Sequence, residues 1–152
     1  MSERVRPSKD KYYLNIALAV AKRGTCKRRN YGAIIIVNDE IISTGYSGAP
    51  RGKPNCLFLK DCPRIIQNIP SGERYDLCIS VHAEQNAIIS AARRDMIGGT
   101  MYIAGFEMET GLVVDSNPCY LCTRFIMQAG IEVVKFTKSH EIKNFGILEL
   151  KG

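Results

Sequence analysis

Two short stretches, Val81-His82-Ala83-Glu84 and Asn117-Pro118-Cys119-Tyr120-Leu121-Cys122, set the strongest condition on how this chain can fold. Cys119 and Cys122 are three residues apart, so on one helical turn both thiols share a face. His82 brings an imidazole from far back in the sequence, with a carboxylate two residues later. One His and two Cys make three ligands, the number zinc takes at catalytic centres, where a fourth position stays open for water. The fold must then set the two stretches face to face. A structural zinc with one further ligand, or a pair of buried thiols, are the plain alternatives. The presence of both halves, in order and with proline before the first cysteine, weighs against them.

Both stretches read as helix starts. Pro118 suits the first turn of a helix running to about Ala129 and ending at Gly130. His82 opens a second helix to Arg94, with Ala83, Ala87, Ile88, Ala91 and Ala92 at packed positions. Unpaired backbone N–H groups at such starts favour negative charge, and thiols there shift toward the thiolate that binds metal. Zinc lowers the pKa of its bound water to about 7. The resulting hydroxide can attack an amidine-like carbon, C4 of cytosine or C6 of adenine, with Glu84 carrying protons to the ring nitrogen and the departing ammonia. H-x-E followed by P-C-x-x-C is a known signature of that hydrolytic deamination. A first-turn carboxylate often does no more than complement the helix dipole, but His82 and the cysteine pair outweigh that reading for Glu84.

The flanking pattern is α-β-β-α-β-α-β with an ambiguous tail, a mixed sheet with an opening hairpin and crossover helices. Ser8 caps a helix over about residues 9–23, with Gly24 behind it. Ile34-Ile35-Ile36-Val37 suits a strand buried on both faces, and Asn38-Asp39-Glu40 a tight turn into a returning strand from Ile41 to Tyr46. Thr100–Phe106 and Ile131–Phe136 are further strands, and Ser139–Leu150 is a short helix, a strand, or both. Tyr12, Tyr13, Phe125 and Phe136 are read as core or interface residues, with core the preferred assignment. With 152 residues and no linker, repeat or low-complexity tract, the chain reads as one domain, residues 1–152. It has no apolar run of the ~20 residues a membrane span needs and no apolar leader in Met1–Lys11, so a cytoplasmic, reducing setting is expected. There, six cysteines point to metal rather than to disulfides. A formal charge of +6 favours a phosphate-bearing ligand.

The stretches Gly24–Ala33 (GTCKRRNYGA), Thr44–Gly52 (TGYSGAPRG), Pro70–Arg74 (PSGER) and His82–Ile88 (HAEQNAI) together resemble the deoxycytidylate (dCMP) deaminases, from about Ser8 to Phe136. The resemblance implies a three-layer α/β/α cytidine-deaminase-like fold with a mixed central sheet. It implies conversion of dCMP to dUMP for thymidylate synthesis, and a homo-oligomer, a hexamer in many members, with dCTP and dTTP as effectors. His82, Cys119 and Cys122 match the zinc ligands, Glu84 the proton shuttle, and Ala83 a backbone contact to the pyrimidine. The turn Gly45-Tyr46-Ser47-Gly48 matches a nucleotide-binding Gly-Tyr-Asn-Gly motif in which this chain has Ser47 for Asn, a hydroxyl in place of an amide's paired donor and acceptor. Arg93 matches an arginine tied to nucleotide phosphates, with a solvated helix-face cation as the plain alternative. Arg51 and Lys53, just past that turn, are candidates for the 5′-phosphate, arginine through its planar fork.

Cys26, Cys56, Cys62 and Cys78 are left over from the catalytic set, three of them on or next to the long segment Ser47–Leu77. Four thiols can close an all-thiolate structural zinc site, and some members of the resembled family hold a second zinc at positions matching Cys26 and Cys56. Such a site would pin the long segment; plain buried thiols are the alternative. Two other functions stay open: a deaminase acting on tRNA or other nucleic acid, which the long insert disfavours, and a non-catalytic zinc or nucleotide-binding module, which would have no use for Glu84.

Overall fold

The computed structural model describes residues 4–58, 62–70 and 72–150; positions 59–61 and 71 of the long segment lie outside the described residues. Five strands form one mixed sheet: β1 (Arg29–Val37), β2 (Glu40–Tyr46), β3 (Thr100–Glu107), β4 (Val133–Lys138) and β5 (Glu141–Glu149), in the order β2-β1-β3-β4-β5. Only the β3–β4 pair is parallel, and its crossover carries helix α5 (Tyr120–Gln128). Helix α1 (Lys9–Ala21) covers one face of the sheet, while α3 (Ala83–Ile89) and α5 cover the other. Two short helices, α2 (Pro63–Ile66) and α4 (Arg93–Met96), complete the set.

The isoleucine run explains the layering. Side chains alternate across a strand, so Ile34 and Ile36 pack with Tyr13, Leu14 and Ala17 under α1. Ala33 and Ile35 pack on the opposite face with Ala87 of α3 and Cys122 and Ile126 of α5. A strand buried on both faces needs this near-continuous apolar run. Asn38 and Asp39, with φ of 51° and 62°, make the two-residue turn that returns the chain into β2. Asp39 also accepts from the Tyr13 hydroxyl and pairs with Lys9, which ties α1 to the hairpin.

Several boundaries differ from the expected ones. Ser8 caps α1 through Lys11 N–H, but the helix ends at Ala21 with Lys22 as its cap. Gly24 serves instead as a place of close approach, where a Cβ would sit 2.4 Å from Asn30 Oδ1. The helix opened by His82 stops at Ile89. Ala92 is extended and starts α4, a break that lets Met96 reach the core at 2% exposure. Pro118 lies outside α5, one residue ahead of its N-cap Cys119. The ambiguous tail is β5, antiparallel to β4, and Gly146 leaves room for the Phe136 ring lying over it. The long segment is not bare loop: it contains α2 and two single 3-10 turns, Cys56–Phe58 and Tyr75–Leu77. Of these aromatic residues, Tyr13 is buried under α1 and Phe136 is partly buried against the cluster on the opposite face of the sheet, but Tyr12 and Phe125 are 49% and 48% exposed. No helix among the described residues is long and apolar enough to cross a membrane.

Gly45 seats the site-bearing helix. A Cβ there would lie 2.3 Å from Ala87 N and 2.5 Å from Ala83 O, so the α3 backbone rests directly on β2. Gly45→Ala is expected to destabilise the protein by about 1–3 kcal/mol through overpacking and to weaken metal retention, because α3 carries the site. Urea unfolding and metal content per chain check this; an unchanged midpoint would contradict the packing.

Candidate active site

His82 and Cys119 are the N-caps of α3 and α5, with the backbone still extended at each (ψ 150° and 165°). The Gln85 side-chain carbonyl accepts from His82 N–H at 3.0 Å and holds the entry to α3. The Cys119 sulfur accepts from Cys122 N–H at 3.4 Å, as an N-cap side chain does. His82 Nδ1 then lies 3.1 Å from Cys122 Sγ and 3.5 Å from Cys119 Sγ, and the three ligating atoms all fall within 4.8 Å of one another. Tetrahedral zinc bound at ordinary Zn–N and Zn–S lengths separates its ligands by about 3.6 Å. The donor set and its spacing fit zinc, with Nδ1 as the ligating ring nitrogen. Among the described residues this is the one group of three metal-ligating side chains so gathered.

Charge at the cluster is unevenly shared. The Cys119 sulfur is pulled down to about 4, foremost by a hydrogen bond from the Cys122 thiol and then, against its own burial, by His82. Cys122 is pushed up for the converse reason, the adjoining Cys119 sulfur together with burial. His82 is raised, chiefly by its hydrogen bond with Cys119. Glu84, 6% exposed, is raised by burial, with its own backbone N–H, His82 and the Cys122 thiol acting in the other direction. The carboxyl thus lies beside the ligands without being one of them.

His82, Glu84 and Cys119 line the wall of a cavity of about 630 Å³, which also takes in Ala83, Ser47 and Tyr75, while Cys122 lies fully buried behind them. The Tyr75 ring meets His82 edge-on at 4.7 Å, and the Arg64 guanidinium lies over Tyr75 at 4.7 Å. In this way the long insert reaches the metal-ligand cluster. Arg64 is 9% exposed and donates to the carbonyls of Glu73 and Pro70 at 3.2 and 3.0 Å. Neither Arg64 nor Tyr75 was singled out from sequence. A lone arginine in a polar insert carries no periodic signal, and only the contacts reveal it.

The other expected site residues are dispersed. Ser47 is buried on the cavity wall, but its hydroxyl accepts from Tyr31 N–H at 3.0 Å and so braces the start of β1. Tyr46 and Gly48 do not face the cavity. The Tyr46 carbonyl receives Asn86 Nδ2 at 2.8 Å, and Gly48 pairs with Val81 just ahead of His82. Arg51 and Lys53 are exposed on the turn at Gly52 (φ 84°), which carries them to the surface and away from the cavity. Arg93 opens α4 instead of ending a long helix, and its Nε donates to Gln128 O at 2.7 Å, closing the C-terminus of α5. Cys56 is pushed up to about 11, by burial first and then by the nearby sulfurs of Cys26, Cys78 and Cys62. Those four thiols are therefore neighbours, although not drawn together as tightly as the His82 cluster.

Three ligands, a buried carboxylate that does not ligate, and a cavity in front of them define the zinc hydrolase class. Residues 7–138 match the family described as the cytidine and deoxycytidylate deaminase zinc-binding region. The chain belongs to this family of hydrolytic deaminases. The deoxycytidylate deaminase of Mycobacterium phage D29 is 36% identical over 138 residues, covering 88% of this chain and 97% of that protein. That of Saccharomyces cerevisiae is 33% identical over 154 residues, covering 100% of this chain but 45% of its own length. The dCMP deaminase from cyanophage S-TIM5, solved in complex with dCMP and dUMP, aligns with a TM-score of 0.61 at 26% identity, over 88% of this chain and 83% of that one.

The thiols should separate by pH in the metal-free protein. Cys119, held near 4, is ionised at pH 6, whereas Cys56, raised to about 11, stays protonated. Since the thiolate is the nucleophile, iodoacetamide at pH 6 is expected to modify Cys119 well before Cys56. Peptide mass spectrometry reads the order, and preferential labelling of Cys56 would contradict it.

Proposed function

We propose that this chain, residues 1–152 acting as one catalytic unit, deaminates dCMP hydrolytically to dUMP and ammonia. The observation that carries the proposal is the placement of Glu84, buried beside a three-ligand cradle and opening on the cavity. The printed substrates of the similar proteins support dCMP as the nucleotide: the phage D29 relative is a deoxycytidylate deaminase, and the cyanophage enzyme was solved with dCMP and dUMP.

His82, Cys119 and Cys122 would hold the zinc. Bound there, zinc supplies Lewis acidity that brings the pKa of water to about 7. Glu84 takes a proton from the attacking water and delivers it to N3 as oxygen adds at C4 of the cytosine. It then moves the second proton to the amine, which leaves as ammonia while the C4 carbonyl of uracil forms. Burial raises the Glu84 carboxyl above its ordinary value, the direction that suits a group that must both take and release a proton. Ala83 at the start of α3 and Ser47 line the same cavity, which supports a role for the Ala83 backbone against the pyrimidine and for Ser47 near the sugar.

The same reading places the enzyme in the cytoplasm, with dUMP feeding thymidylate synthesis and dCTP and dTTP as effectors. A homo-oligomer, a hexamer by family resemblance, accords with the exposed apolar side chains Tyr120, Phe125 and Met127 on α5. A second, structural zinc at Cys26, Cys56, Cys62 and Cys78 accords with the effect of the other three sulfurs on Cys56.

Ammonia release from dCMP, CMP, deoxycytidine and tRNA, measured with zinc content, tests the proposal. The enzyme is expected to turn over dCMP, to lose activity on chelation and to regain it with zinc. Turnover of tRNA alone would replace the substrate. Glu84→Gln should keep the zinc and lower turnover by about 10²–10⁴-fold, the usual contribution of general acid–base catalysis. Cys56→Ser should reduce the zinc count from two per chain to one, and a count of one in the unaltered protein would remove the second site.

A further inference from the structure

Cys119 is held unlike the other two ligands. Cys122 is fixed by the core, fully buried with Ile126 and Ala87. His82 is fixed by Gln85 and by the bridge between Val81 and Gly48 just ahead of it. Cys119 precedes its helix and is only partly buried, so the segment leading into it decides its place. That segment fills a split in the sheet. The parallel pairing of β3 with β4 stops at Ile103 and Phe136, although the strands run on to Glu107 and Lys138. Residues 113–116 return between the two ends. On the β3 side, Val113 bridges Phe106 and Val114 N–H donates to Gly105 O. On the β4 side, Val113 O accepts from His140 N–H and the Asp115 carboxylate accepts from the Ser139 N–H and hydroxyl. Ser116 N–H donates to Thr137 O at 3.0 Å.

Within the split lie two hydroxyls, Ser116 at 2% exposure and Thr137 at 0%, with their oxygens 2.6 Å apart. Ser116 Oγ also accepts from Thr137 N–H at 3.0 Å and faces Ile103 O at 2.9 Å, while Thr137 Oγ1 faces Val114 O at 2.9 Å. Each hydroxyl has one proton to give, and two oxygens this close must share one. The bonds therefore run from Ser116 through Thr137 to Val114 O, or from Thr137 through Ser116 to Ile103 O. In either direction each hydroxyl depends on the other.

We propose that Ser116 and Thr137 are positioning residues for the metal centre, a hydroxyl lock that sets the place of the Cys119 sulfur. The proposal rests on the reading of zinc at His82, Cys119 and Cys122. Only Asn117 and Pro118 separate the lock from Cys119. Proline fixes its own φ at about −65° and confines the residue before it to extended backbone, so few soft dihedrals remain to absorb a displacement. A shift at Ser116 is passed on to the sulfur. Apolar side chains would fill the split equally well. What the hydroxyls add is direction, because a buried hydrogen-bonded pair is satisfied in one arrangement of the segment and left wanting in others.

The test separates hydroxyl from volume at Thr137, which is buried away from the cavity. Thr137→Val keeps the shape and loses the hydroxyl, whereas Thr137→Ser keeps the hydroxyl and loses a buried methyl. Zinc affinity is read by competition with a chromophoric chelator. Ligand geometry is read from the d–d and sulfur-to-metal bands of the cobalt(II)-loaded protein, and neither measurement needs turnover. Thr137→Val is expected to weaken zinc about tenfold, the low end of what partners supporting metal ligands contribute, and to shift the cobalt bands. Thr137→Ser should leave both unchanged, even if its urea midpoint falls as far as that of Thr137→Val. Should Thr137→Val fail to fold, Ser116→Ala decides by the same two readouts. Unchanged affinity and bands in the variant that lacks a hydroxyl, or equal weakening in both Thr137 variants, would overturn the lock and leave the zinc reading intact. An unaltered protein that takes up neither zinc nor cobalt would overturn the zinc reading and the lock together.

Discussion

The contact on which the site depends is the seating of α3 on Gly45. Ala83 O and Ala87 N lie so close to the β2 backbone that no side chain fits between them. That contact fixes the height and rotation of the helix whose N-cap is His82 and whose first turn holds Glu84. The α5 helix is set against the same face through Cys122 and Ile126, both fully buried with Ala87 and Ile35. Two helix starts then meet at one point, because each is held by core packing that has no metal in it. Packed interiors are stiff, so the three ligating atoms are gathered in advance by the fold.

The opposite face of the sheet contributes a different kind of order. Asp10 on α1 receives the Tyr102 hydroxyl at 2.6 Å and Lys135 at 2.8 Å, linking the first helix to β3 and β4. Lys135 and Asp10 are largely shielded, so this pair is less screened than a fully solvated one. Together with the Tyr13–Asp39 bond it pins α1 across four elements. No member of this network touches the cavity. Its effect on function passes through the sheet, as the rigid support beneath Gly45 and β3.

The insert joins the two themes. It would be a poor candidate for order on length alone, but Arg64 anchors it by donating to its own carbonyls and by stacking on Tyr75. Arg28 then binds it to the approach to β1. Asn30, fully buried, clamps Cys26 through both its N–H and its carbonyl, which fixes the chain from which Arg28 extends. Electrostatics and hydrogen bonding do here what apolar packing does elsewhere, and they bring arginine side chains onto the cavity wall.

The ligand set and its neighbouring carboxylate were legible in His82, Glu84, Cys119 and Cys122, because zinc chemistry demands few residue types at fixed spacing. The succession of elements up to β4 was legible in the isoleucine run, the Asn38-Asp39 turn and the glycine stops, since each follows from local backbone and burial preferences, whereas the order of the strands in the sheet was not. The end of α3 was not, because the burial of Met96 decided it against a sequence that favours helix throughout. Nor was the tail, whose strand state depends on the open edge of β4. The cavity wall was least legible of all. Arg51 and Lys53 carry the same charge as Arg64, and only the turn at Gly52 and the packing on Tyr75 decide which of them points inward. Sequence alone determined the chemistry that this protein can carry, because that chemistry is a property of side chains. Tertiary structure decided which cations share the cavity with it, because burial and orientation are properties of long-range contacts.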